Sequence, residues 1–216
     1  MTRTIGLGKM PGTAKGVSEF TISRSHGIGW NDAPMGYYCV LLQIRERILM
    51  DLDEDQIPRL FERAGDPKRR RTSLSILSQY ELPAMAGELP PPVSLEKMDL
   101  ALHHLLTGGF HPTSSPLSRA ILGGTPIAAD LGDDRARYLW GDEVREISTA
   151  LSSLTSEDLR RRYDPAGLKA GWPRTPVKEN EDEERVFTGL ETYFWLLEAY
   201  YRIAAARANA MLIGLI

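Results

Sequence analysis

Asp99 and His103 lie four residues apart in the stretch Ser94–Gly108, and on a helix that spacing lets two side chains meet. A carboxylate beside an imidazole can orient and charge it, for proton transfer or for gripping an anion. The same spacing is also that of an ordinary ion pair at the rim of a core, so the pair alone does not decide between the two. Further along, Arg135 and Arg137 alternate and would share one face of a strand. Two guanidiniums so placed suit a carboxylate or a phosphate, or they pair with Asp133, Asp134 or Asp142 nearby. Tyr138, on the same strand, and Trp172, which either plugs the core or lines a cleft, complete the binding candidates. A metal site from Asp99, His103 and His111 matches no ligand spacing, so no metal is expected.

Other chemistry is not written in the chain. It holds no nucleophile elbow, P-loop or dinucleotide fingerprint, and no cofactor is expected. Gly6-Leu7-Gly8 and Gly27-Ile28-Gly29 lack the preceding strand and following helix that a phosphate loop needs. Lys68-Arg69-Arg70-Arg71 is a short basic run that a solvated loop explains better than a phosphate contact. With net charge −3 and a pI near 5.9, the chain is not expected to bind nucleic acid. Cys39 is the single cysteine, which excludes an internal disulfide and fits a reducing, cytoplasmic setting. The most apolar stretch, Leu196–Ile216, is interrupted by Glu198, Arg202 and Arg207, so no membrane span is expected.

These residues need elements to hold them. Residues 1–34 hold six glycines and no helix or strand period. They are expected to be a loosely ordered arm of charge +2 against −5 for the rest, with Met35 able to serve as a true start. Tyr37–Leu42 reads as a buried strand, and Ile44, Ile48 and Leu49 as a short helix. Asp53 with Gln56 resembles a capping box before Ile57, Leu60 and Phe61. An amphipathic piece (Leu74, Ile76, Leu77, Tyr80) and the extended Pro90-Pro91-Pro92 lead to Ser94.

Ser94 is expected to N-cap the central helix, whose stripe is Leu95, Met98, Leu102, Leu105 and Leu106, with Gly108 ending it. Ser118–Leu122, a turn at Gly123-Gly124 and Pro126-Ile127-Ala128 read as two strands, followed by a strand at Arg135–Leu139. Val144, Ile147, Leu151 and Leu154 mark a helix; Thr155 and Asp164-Pro165 start two more. Glu179–Glu184 opens a long last helix with Asn209 at its end, and Ala210–Ile216 closes the chain as a strand. The expected fold is α+β: a small mixed sheet packed against several helices, one domain over 35–216.

The order of these pieces resembles the YfbM-like family, small bacterial proteins whose defining domain has no assigned function. The resemblance covers roughly Met35 to Ile216. It rests on Leu105-Leu106-Thr107-Gly108 with His103, on Pro116-Leu117 with Ala120-Ile121-Leu122-Gly123-Gly124, and on Ala136-Arg137-Tyr138-Leu139 with Glu143-Val144. The chain departs from the family helix, which carries tryptophan where Asp99 stands and histidine where Leu100 stands. The resemblance implies a fold and supplies no catalytic residues.

Two functions follow as expectations. The favoured one is a non-enzymatic binding protein, such as an immunity protein whose acidic clusters meet a basic, toxin-like protein partner. The alternative is a hydrolase- or transferase-type enzyme in which Asp99 and His103 form the base while Arg135 or Arg137 holds an anionic substrate.

Overall fold

In the structure, a computed structural model, residues 39–52, 56–65, 89–130, 135–171 and 182–215 are described. The arm 1–34, the cap at Asp53, the basic run 68–71, the amphipathic piece at 74–80, Asp133, Asp134, Trp172 and the side chain of Arg135 lie outside the described part.

The described chain runs β1 (Cys39–Arg45), α1 (Glu46–Asp51), α2 (Gln56–Gly65), β2 (Val93–Glu96), α3 (Asp99–Thr107), α4 (Pro116–Leu122), β3 (Thr125–Asp130), β4 (Arg135–Leu139), α5 (Gly141–Ser152), α6 (Ser156–Arg162), α7 (Pro165–Ala170), α8 (Glu183–Ala206) and β5 (Asn209–Leu215). The five strands make one sheet in the order β2-β1-β5-β4-β3. The α+β architecture is as expected. The sheet is antiparallel at every described pairing, not mixed. The last strand lies at its centre, between β1 and β4, with full register from Cys39↔Leu215 to Arg45↔Asn209.

Both faces of this sheet are covered, which explains why β1 and β5 read as continuous apolar runs. Alternation divides their residues. Cys39, Leu41, Leu139, Met211 and Ile213 join the larger core with helices α3 to α8. Val40, Ile44, Ala136, Tyr138, Ala210 and Leu212 join a smaller one with Leu49 of α1 and Ile57 and Phe61 of α2. Each leucine or isoleucine so buried contributes about 1.5–3 kcal/mol.

β1 outruns β2, whose pairing stops at Leu41↔Val93. Beyond that point the Gln43 N–H donates to the Tyr200 hydroxyl of α8 at 2.9 Å. The Gln43 amide donates to the Tyr200 carbonyl and accepts from Asn209. Burial raises the Tyr200 hydroxyl well above the usual tyrosine range. A buried polar group without partners is costly, and this cluster leaves none of these groups alone.

Three sequence expectations give way here. Ser94 does not cap a helix. It lies in β2, where Val93 and Leu95 are buried and Ser94 and Glu96 are not. The extended prolines deliver a strand that pairs with β1, and α3 begins only at Asp99, after Glu96 turns the chain at φ 52°. The segment 118–122 is helix, not strand. Ser115 caps it through the Ser118 N–H, Pro116 occupies its first turn, and Leu117, Ala120 and Ile121 have helical spacing. Finally, α8 ends on Arg207 with Ala208 left-handed at φ 51°, while Asn209 opens β5.

Candidate functional site

α3 carries Asp99, His103 and His104, and its C-terminus is closed by Gly108 in the left-handed region at φ 75°. The loop that follows, from Gly108 to Ser115, folds back to the N-terminus of α4. His103, fully buried, joins the three parts. Its Nδ1 lies 2.9 Å from the Gly109 carbonyl and its Nε2 lies 3.0 Å from the Ser118 hydroxyl.

A carbonyl only accepts, so Nδ1 carries the proton and donates to Gly109. Nε2 is then an acceptor, and the Ser118 hydroxyl donates a hydrogen bond to it. The Ser118 oxygen in turn accepts the Thr113 N–H at 2.7 Å. The Thr107 hydroxyl reaches the carbonyls of His103 and Gly109 at 2.8 and 3.1 Å. Burial, the largest influence, pushes His103 below the ordinary histidine range; the Gly109 contact works against it, and the neighbouring His104 and His111 work with it.

The structure therefore does not pair His103 with Asp99, because both ring nitrogens bond elsewhere. Asp99 sits in the first turn of α3, where its carboxylate accepts from the Leu100 N–H and its own. Burial outweighs those bonds and raises the group to about 6. The loop after α3 and the start of α4, not the helix spacing, supply the partners of His103.

His104 is also buried, 6% exposed, with no hydrogen bond to either ring nitrogen. Its ring stacks on Phe110 at 4.5 Å, and Nε2 lies 3.8 Å from the exposed Asp164 carboxylate. That distance is too long for a hydrogen bond. Asp164 meanwhile caps α7 by accepting from the Gly167 N–H. Gly167 makes the approach possible, since a Cβ there would stand 2.8 Å from His104 Nε2.

The remaining candidates fall in different places. Arg137, half-buried, pairs in register with Pro126 and Ile213. Alternation turns Tyr138 to the opposite face, where it packs edge-on against Trp140 at 5.1 Å within the smaller core. Tyr138 and Arg137 therefore cannot line one side of a single ligand. Among the described residues no group of three potential metal ligands occurs. No described helix is long and apolar enough to cross a membrane.

Ser118 escaped the sequence reading, which made its segment a strand. The signal was present in Ser115-Pro116, a cap followed by a first-turn proline. The acidic opening of α8 is engaged internally. Glu184 takes Arg160 at 2.7 Å and Glu183 takes Lys169 at 2.9 Å, clasping α6 and α7 to α8. Arg160 also lies over the Phe187 ring, 3.7 Å from its centroid.

A search of the curated proteins gives no match. Among solved structures, the fold is similar to that of YfbM from Escherichia coli, titled a protein of unknown function. The TM-score is 0.54 at 22% identity, over 83% of this chain and 99% of the other, a likeness of fold alone. The sequence pattern named Domain of unknown function (DUF1877) matches residues 35–214, and the chain belongs to that family.

Proposed function

We propose that this protein is a non-enzymatic binding protein that offers the loop between α3 and α4 to a protein partner. One observation carries the reading. His103 and Ser118, an imidazole and a hydroxyl in bonding reach, are both fully buried and spend their hydrogen bonds on holding that loop. A nucleophile must reach its substrate; this pair builds a surface instead. His111 to Ser115 are exposed on it.

The loop itself carries no acidic residue. The net charge of −3 acts at long range, drawing in a basic, toxin-like protein partner for which the chain acts as the immunity protein. The test is capture from native lysate with the full chain as bait, read by intact-complex mass spectrometry. A stoichiometric protein is expected, and the double variant His111→Ala, Ser114→Ala should weaken its binding by about tenfold. Undiminished binding by that variant, or no captured protein, would count against the reading.

A second reading, a hydrolase- or transferase-type enzyme, draws on Asp99. A carboxyl raised to about 6 is suited to proton transfer near neutrality. It predicts a retained small molecule in place of a protein, and a variant Asp99→Asn that binds this molecule without converting it.

A further inference from the structure

One protonation state of His103 satisfies all the bonds around it at once. The order of donors is continuous: Thr113 N–H to the Ser118 oxygen, Ser118 O–H to His103 Nε2, and His103 Nδ1–H to the Gly109 carbonyl. Adding a proton at Nε2 would make that nitrogen a donor and turn the Ser118 hydrogen out of the 3.0 Å contact. The Ser118 oxygen would then have to accept from both Nε2 and Thr113, and its own hydrogen would lose its acceptor. The new charge would stand in a site of zero exposure with no carboxylate bonded to the ring.

We infer that His103 is a proton-sensitive latch: neutral, it holds the Gly108–Ser115 loop against α4, and protonated, it releases the loop. On release the ring moves toward water to solvate its charge, and the bonds to Gly109 and Ser118 are lost together. The surroundings do not oppose this. From its own helix the ring meets His104, with Asp99 one turn earlier and the neutral Thr107 one turn later. From the loop it meets His111 and the Gly109 carbonyl. From α4 it meets Ser118, while the neighbouring Arg119 is committed to Glu143 and Glu146 of α5. The carboxylate of Asp164 faces His104, not His103.

The latch rests on the proposed binding role only for its consequence, since the loop it holds is the surface offered to the partner. Its test uses the free protein and needs no partner. Nitrogen NMR of the full chain at about pH 8 should find His103 neutral with its proton on Nδ1, the less common form in free histidine. Amide exchange of Thr113, corrected for the intrinsic pH dependence, should lose protection by about tenfold or more between about pH 7.5 and pH 4.5. The variant His103→Gln retains a donor and an acceptor but no titrating group, and its Thr113 protection should not change with pH. Asp99→Asn should keep the wild-type response, which removes titration of Asp99 as its source. Ser118→Ala should lose Thr113 protection at both pH values. A proton on Nε2, a pH-independent Thr113 amide in the wild type, or an unchanged response in His103→Gln would overturn the proposal. None of these outcomes bears on whether a partner exists, so the two readings fail separately.

Discussion

Asp99 illustrates how burial and helix position compete at a single side chain. The first turn of a helix favours a carboxylate, and its N–H groups bond it. Desolvation nevertheless wins, and the group rises from 3.8 to about 6. The sign for stability follows. Between these two values the folded state holds a proton that the unfolded state has released, so this group makes stability fall as pH rises through that window. Above about 6 the full cost is present, at most about 3 kcal/mol for a shift of this size. Asp99→Asn should therefore raise the urea midpoint at about pH 8 and leave it nearly unchanged at about pH 4, where wild-type Asp99 is largely protonated in the fold. Equal effects at both pH values would show that packing, not charge, separates the two proteins.

His103 acts with the opposite slope. Its folded value is depressed, so the unfolded chain takes the proton first as pH drops below about 6.5, and stability is lost from there downward.

At the scale of elements, two helices end on left-handed residues of different quality. Gly108 closes α3 at φ 75°, and nothing lies within 4 Å of where a Cβ would stand. Ala208 follows α8 at φ 51° with a Cβ in place. A side chain in that region costs about 1 kcal/mol through clash with its own backbone. Gly108→Ala should thus destabilise by about that amount through backbone strain alone, and Ala208→Gly should stabilise by a similar or smaller amount. Denaturant midpoints read both; a neutral Gly108→Ala would mean that the loop after α3 tolerates another path.

The starts of α6 and α7 rest on caps that the chain states locally. Thr155 and Asp158 exchange bonds at the start of α6, which lowers the Asp158 carboxyl to about 2, and Asp164 with Pro165 starts α7.

For the whole molecule, the antiparallel sheet separates two cores of unequal size. The larger one ties α3 to α8 together; the smaller one seats α1 and α2 through Leu49, Ile57 and Phe61. Phe61→Ala should cost about 3–5 kcal/mol if the site cannot collapse. Its effect should be local: amides of α2 lose protection in hydrogen exchange before those of β5. Simultaneous loss in α2 and β5 would show instead that both faces unfold as one unit.

By itself the sequence determined those elements whose signal is local. The helical stripe of Leu102, Leu105 and Leu106, the glycine stop at Gly108, the caps at Thr155 and Asp164, the acidic start of α8 and the apolar runs of β1 and β5 were all legible. Periodicity and end signals depend on residues within a few positions of one another. Segments that satisfied two patterns at once were not settled this way. Ser94 suits a cap or an exposed strand position, and 117–122 carries apolar residues that suit either period. For Ser94, pairing of β2 with β1 selected the answer.

The tertiary structure alone decided the sense of the sheet, the central place of β5 and the partners of His103. Those partners, Gly109 and Ser118, lie 6 and 15 residues away along the chain. Helix spacing ranks neighbours within one element. It says nothing about which distant hydroxyl or carbonyl a buried imidazole must find to satisfy both of its nitrogens.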